Sequence, residues 1–261
     1  MKSPDHDSCK RRNRMRLKLS LTTLLAALVL PLDAALAEPV RFVTIDYKPY
    51  ALHDDPKGRH GLLVDINTAI AERAELAITD SVLPITRVVK NLAHNVSDCG
   101  VFLLTTVTEQ EYIPVAKILD RFETIIVTRP GLGISKIEDL RDQRLALPRG
   151  SFEGSSVLDD PKIELFYTNN TEQGVHLLQA GRVDAVAGTS LSLLFQFSVE
   201  NMGQNEIGEI FTYERQEMWL QCAKNQLPDE TIAKLRKATD SLRMEGAFDT
   251  LIKRYIPDIF S

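Results

Sequence analysis

Two apolar periods alternate along this chain, and the alternation predicts a β/α protein. Residues 40–45 (VRFVTI) are a short β-branched run that ends at Asp46 and a Tyr47-Lys48-Pro49-Tyr50 corner. A polar turn over 53–60 follows. Then Gly61-Leu62-Leu63-Val64-Asp65-Ile66 leads into a helical pattern through Ala74, with Ile66, Ala69, Ile70 and Ala74 at helical spacing. Residues 76–82 predict a second strand, 84–93 a second helix, and 99–105 a strand buried by its apolar run. The order β-α-β-α-β argues for a mostly parallel sheet covered by helices.

A second unit repeats the pattern. It predicts strands over 123–128, 144–147, 164–167 and 183–187, and helices from about Glu153 and over 172–180. Ser135-Lys136-Ile137-Glu138 has the Ser-x-x-Glu form of a capping box and predicts a further helix start. The segments VVKNLAHNVSDCGVF (88–102) and GVHLLQAGRVDAVAG (174–188) both run helix, polar turn, Val-x-Asp or Val-Asp, small residue, apolar strand. Placed at corresponding points of two β/α units, they predict two similar lobes. The tail adds a strand over 217–223, a long amphipathic helix over 228–244, and a last helix over 247–255 after Gly246. No low-complexity linker separates the halves, so short extended strands should join them. A ligand would lie in the crevice between, where strand carboxyl ends and helix N-termini meet.

Ahead of all this stands a basic run, KRRNRMR, an apolar core over 19–30, and Ala35-Leu36-Ala37. That is the form of a secretory signal cleaved before Glu38, and its core is short for a membrane span of roughly 20 residues. Removing residues 1–37 takes seven of the 31 basic and three of the 36 acidic residues, leaving 24 and 33, a formal charge of −9. An acidic chain outside the cytoplasm has no electrostatic reason to bind nucleic acid or anionic lipid, and is removed from ATP- or NADH-driven chemistry. Cys9 lies in the signal, leaving Cys99 and Cys222 either paired or as two separate buried thiols. The five histidines form no zinc signature. His53-Asp54-Asp55 with His60 reads as a polar turn around Pro56 and Gly58, so no metal is expected. There is no Gly-x-Ser-x-Gly nucleophile elbow, since Gly150–Gly154 reads Gly-Ser-Phe-Glu-Gly.

The ordered set Asp46–Tyr50, GLLVDINTAIAERA (61–74), LPITRVVKNL (83–92), TTVTEQE (105–111), ISKIEDLRDQRLALPRGS (134–151), LQAGRVDAVAGT (178–189) and LRMEGAFDTLIKRYI (242–256) resembles the polar-amino-acid class of bacterial periplasmic solute-binding proteins, the receptors of ABC importers (extracellular solute-binding protein family 3). The resemblance implies an α/β, type II two-lobed periplasmic-binding-protein-like fold. Each lobe is a mostly parallel sheet flanked by helices, and two crossover strands join the lobes. Lobe one would take 38–122 plus 217–261, and lobe two 123–216. It implies a monomeric, non-enzymatic periplasmic receptor that needs no cofactor, closes by a hinge on a small polar solute, and serves a membrane ABC permease or a sensor. It also puts Cys99 and Cys222 in one lobe, on adjacent strands, which favours a disulfide.

The chain departs from the resemblance at both anchors for an α-amino acid. Relatives hold the carboxylate with an Arg in a pattern like Thr-x-Thr-x-x-Arg, whereas here Thr106 and Thr108 are followed by Glu111. A Glu would repel a carboxylate that an Arg grips in bidentate fashion. Relatives hold the ammonium with an Asp where this chain has Gly188-Thr189. An ordinary α-amino acid is therefore not the expected ligand. The remaining candidates are Asp46 as acceptor or Asx turn, Tyr47 and Tyr50 as aromatic faces, and the hydroxyls of Thr106 and Thr108 as donors or helix caps. Arg87 would meet an anion or make a surface ion pair. The strand-to-helix turn Arg149-Gly150-Ser151-Phe152 offers free backbone N–H groups. Trp219 reads as hinge packing, and Asp65 and Asp184 as structural. Two rivals share the fold: an interaction module that has lost its ligand, whose cleft its own side chains would fill, and a periplasmic dehydratase-like enzyme using Glu153 or Glu111 as an acid.

Overall fold

The computed structural model describes residues 38–149 and 156–256. The expected signal over 1–37 and three of the expected site residues, Gly150, Ser151 and Phe152, lie outside them, as does the expected helix start near Glu153. Among the described residues a single mixed sheet runs through the chain in the order β2-β1-β3-β8-β4-β7-β5-β6. The first half holds β1 (Val40–Ile45), β2 (Ile78–Leu83) and β3 (Cys99–Leu103), all parallel, with α1 (Leu62–Ala74) and α2 (Ile85–Ala93) as crossovers. The second half holds β5 (Arg144–Pro148), β6 (Glu164–Thr168) and β7 (Ala185–Thr189), parallel again, with α4 (Ser156–Asp159) and α5 (Thr171–Gln179) between them. A short α3 (Thr106–Glu111) follows β3, and α6 (Ser190–Val199) follows β7. The C-terminal α7 (Asp229–Met244) and α8 (Ala247–Tyr255) complete the chain. No helix among the described residues is long and apolar enough to cross a membrane.

Joining the halves are β4 (Tyr112–Thr128) and β8 (Ile210–Ala223), which pair with each other antiparallel across both. The sequence predicts only 123–128 and 217–223 as strand; both strands extend well beyond. The reason is visible in the register, which shifts between Pro114 and Ala116, Lys117 and Leu119, Leu119 and Phe122, and Thr124 and Ile125. Bulges absorb Pro114 and break the alternation that a regular strand would show. Ser135, expected to open a helix, does not cap an α-helix: it precedes a 3₁₀ turn over Ile137–Leu140, and its N–H donates to Asp139 (3.1 Å), not to Glu138.

The internal repeat has a structural counterpart. Asp98 accepts from the backbone N–H (2.8 Å), Nε (3.1 Å) and guanidinium NH2 (2.5 Å) of Arg41 on β1. In the second half Asp184 accepts from the same three groups of Arg144 on β5, at 3.0, 2.9 and 3.0 Å. In each half the strand entered from the Val-x-Asp or Val-Asp turn is thereby pinned to the first strand of its unit. Asp184 also takes Arg129 at 2.5 Å, and the Arg144 bonds ahead of all else hold its carboxyl well below the usual carboxylate range.

The first-half core gathers Phe42, Leu62, Ile66, Ile70, Cys99, Cys222, Leu235, Phe248 and Tyr255 around the sheet and α7–α8. Two further clusters, around Val127, Val186 and Phe197 and around Ile126, Leu145 and Val157, fill the second half. Cys99 and Cys222 face each other in the β3–β8 register and form a disulfide with both residues fully buried.

That bond closes a loop with a sequence separation of 123, so converting Cys99 and Cys222 to Ala lowers unfolding stability by about 4–5 kcal/mol in urea titrations; an unchanged midpoint would mean the sheet alone fixes this edge. Asp184→Asn destabilises by about 2–3 kcal/mol, because two cations lose an ionised acceptor. The folded pKa of Asp184 is below its unfolded value, so its contribution is complete above about pH 4 and fades as pH falls through the folded value. Stability of the wild type therefore drops more steeply than that of the variant between about pH 4 and pH 2, measured by urea unfolding at each pH.

Candidate functional site

The loop from β1 to α1 is built by the start of α1. That helix has no side-chain cap. Its free N–H groups are taken by carbonyl oxygens of the loop instead: Leu62 donates to Pro49 O (2.8 Å) and Leu63 to Tyr50 O (3.0 Å). The contact requires Gly61, whose φ is 127° and whose Cβ, if present, would lie 2.4 Å from both Tyr50 O and Ala51 Cα. Gly61 N in turn donates to the Tyr255 hydroxyl (3.1 Å), which donates to Asp65 (2.6 Å). The loop includes a cis Lys48–Pro49 bond. Its tyrosines are held in one orientation, rings 25° apart with centroids 6.3 Å from each other.

Both tyrosine hydroxyls land on the second half, each at a helix start. Tyr47 shares a 2.7 Å hydrogen bond with Thr171 in the first turn of α5, and Tyr50 a 2.8 Å bond with Thr189, the N-cap of α6. Lys48 Nζ reaches Glu172 at 3.3 Å, both exposed. Thr189 also accepts from Ser192 N at 3.2 Å. The Ser192 hydroxyl is buried beside Tyr50, close enough to bear on its ionisation, yet lacks a partner at hydrogen-bond geometry among the described residues. Burial pushes the Tyr50 hydroxyl up to about 12, against the bond to Thr189, which lowers it; burial raises Tyr47 as well.

Apolar contact reinforces this seam. Leu191 and Phe195 on α6 are buried in the first-half cluster with Tyr50 and Tyr255. The Arg59 guanidinium lies between the Phe195 ring (5.4 Å) and the Tyr255 ring (5.0 Å), tied to Asp55 on the same loop. The two neutral hydrogen bonds contribute about 1 kcal/mol each, and the exposed Lys48–Glu172 pair adds little. Burial of Leu191 and Phe195 is worth at most about 3–6 kcal/mol together, an upper bound because area-based burial overstates the surface exposed when the contact is lost. The apolar part sets the strength of the seam and the tyrosines set its register.

The structure brings together Tyr47, Tyr50 and Thr189 of the sequence candidates. Asp46 is half-exposed and accepts from His53 Nε2 at 2.9 Å. Thr108 caps α3 reciprocally with Thr105, while Thr106 is exposed in its first turn. Glu111 is exposed at the far end of α3, on a small depression shared with Leu92, Asn95 and Lys224. Arg87 is exposed on α2. Arg149 is exposed and stacks its guanidinium 5.6 Å from the Tyr167 ring. Trp219 sits on the crossover, donating to Glu217 (2.9 Å) with Lys117 over its ring (5.8 Å). Thr171 and Ser192 were not candidates. Their signal was present only as hydroxyl residues just inside helix starts, which capping explains equally well.

No protein-family model matches the chain, and no curated protein matches it. Solved structures do. An ancestral cationic amino acid solute-binding protein matches with a TM-score of 0.68 at 15% identity, covering 84% of this chain and 95% of that one. A histidine kinase sensor domain with similarity to periplasmic binding proteins gives 0.67 at 17%, covering 84% and 96%. A mutant of ArgBP from T. maritima gives 0.65 at 16%, covering 83% and 94%. What is common at such identities is the fold, and it is the two-lobed periplasmic-binding-protein-like one.

Within that fold the seam can be dissected at one residue. Tyr50→Phe keeps the ring in its cluster and removes one bond, lowering stability by about 1 kcal/mol. Tyr50→Ala empties the site and lowers it by about 3–5 kcal/mol. Equal losses in urea unfolding would place the contribution of Tyr50 in its hydroxyl alone.

Proposed function

We propose that the chain is an extracytoplasmic receptor for a small, uncharged polar solute, with lobes over 38–122 plus 217–261 and over 123–216. It is a monomer without catalytic or cofactor chemistry, exported by its N-terminal segment, and it passes the solute to a membrane permease or reports it to a sensor. The observation that carries the ligand class is the set of groups where the halves meet: the hydroxyls of Tyr47, Tyr50, Thr171, Thr189 and Ser192, all neutral. The charged candidates Glu111, Arg87 and Arg149 are exposed; of the ion pairs at the seam among the described residues, Arg59–Asp55 stays within the first half and Lys48–Glu172 bridges the halves, and both are already satisfied. Neutral donors and acceptors at two helix starts suit a hydroxylated or amide solute better than a zwitterion, whose charges would go unmatched.

A second reading is the ligand-free interaction module. It is favoured by one observation, that the halves bond to each other directly through the tyrosines. An enzyme reading gains nothing comparable, since Glu111 is an exposed helix-end residue and Glu153 lies outside the described residues.

Thermal unfolding against a panel of polyols, sugars, amides, amines, organic acids and amino acids separates these. A solute at a hundred times its Kd adds about 2.7 kcal/mol, a rise of about 5–10 °C for a chain of this size. The expected hit is neutral and polar. A strong shift with an ordinary α-amino acid overturns the neutral ligand class, and a flat panel favours the module.

A further inference from the structure

We infer that the β1–α1 loop is a built-in latch: with no solute bound, Tyr47, Lys48 and Tyr50 hold the two halves closed on each other. Three observations combine. The tyrosine hydroxyls occupy Thr171 and Thr189, the polar groups at two helix starts that a solute in the crevice would use. The loop carrying them is itself fixed, because its carbonyl oxygens cap α1 and Gly61 admits no side chain between loop and helix. The seam is continued by Leu191 and Phe195 of α6, buried against the first half, with Arg59 over the Phe195 ring. Opening the crevice breaks these contacts together and exposes two large apolar side chains, so the closed form dominates at rest. As regulation of the receptor site, the latch rests on the solute-receptor reading. The latch itself is a property of the solute-free chain and is measured without any solute.

The test uses spin labels on the exposed Glu72→Cys and Lys162→Cys positions, one in each half, with the native disulfide intact. The chain is first unfolded in guanidinium and refolded to strip any carried solute. Pulsed electron–electron distance measurement then gives a single narrow population in the wild-type background. Tyr47→Phe with Tyr50→Phe adds a second, longer population, and Phe195→Ala enlarges it; thermal unfolding of each variant confirms that it is folded. A broad or long distribution in the refolded wild-type background overturns the latch. So does a distribution that neither set of substitutions changes. Because no ligand enters, a flat solute panel with a narrow distance distribution sinks the receptor reading while leaving the latch standing, and the converse pair of results sinks only the latch.

Discussion

Everything in this molecule hangs on the antiparallel pairing of β4 with β8, two long strands that belong to both halves at once. Each is a strand of the first-half sheet and of the second-half sheet. The position of one half on the other is therefore set by backbone hydrogen bonds rather than by a loose linker. The register shifts clustered over Lys117–Phe122 are where that pairing yields. Bulges raise local twist and leave ladder groups unpaired, so the ladder is weakest there. Lys117, Asp120 and Glu217 form an ion cluster at the same place, with Trp219 packed under Lys117. The seam of Tyr47, Tyr50, Leu191 and Phe195 is the second place where the halves meet, apart from this pairing.

Two kinds of contact hold that seam, and their magnitudes assign them different work. Hydrogen bonds between neutral hydroxyls are nearly matched by water when the crevice opens. Apolar burial of Leu191 and Phe195 has no such compensation. The apolar pair thus supplies most of the closing free energy, and the tyrosines decide where it is applied. The Arg–Asp clamps act inside each half and play no part across it. Asp98 and Asp184 each lock a strand to its neighbour within one half.

Much of the fold is readable from the chain because apolar periodicity and turn residues agree at each element. The first strand at 40–45, the helix ending at Ala74 and the last helix at 247–255 all coincide with the structure. The repeat around Asp98 and Asp184 was legible as a pattern, although its purpose needed Arg41 and Arg144, which stand 57 and 40 residues away from those carboxylates. Where reading stops short, a physical reason is at hand. Pro114 and alternating charges mask the first part of β4. The helix α6 is buried on several sides at once, through Leu191, Leu193, Phe195 and Phe197, and so shows no amphipathic stripe. At the site, Tyr50 and Thr189 were visible as single residues. Their pairing across 139 residues was not, since nothing local in either segment records the other.

Under the proposed receptor reading, a latched seam and neutral hydroxyls together constrain how a solute could be captured. In a hinge that rests open, a solute bridges the lobes and its own contacts supply the closure. Here the bridging contacts exist already, so a solute that enters must replace the tyrosine hydroxyls on Thr171 and Thr189. Its net gain is the difference between two similar sets of hydrogen bonds, and apparent affinity is reduced by the small fraction of chain that is open. A solute can shift the equilibrium only by its differential affinity for the two states. The most effective one therefore satisfies what the latch leaves unpaired. Ser192 Oγ is that group, a buried hydroxyl at a helix start that lies beside Tyr50 and has no partner at hydrogen-bond geometry among the described residues. A compact solute with adjacent hydroxyl or amide groups can reach Ser192 and Thr189 together, and a single phenol hydroxyl cannot. Selectivity at this seam would then come from the second polar group of the ligand, with charge playing no part.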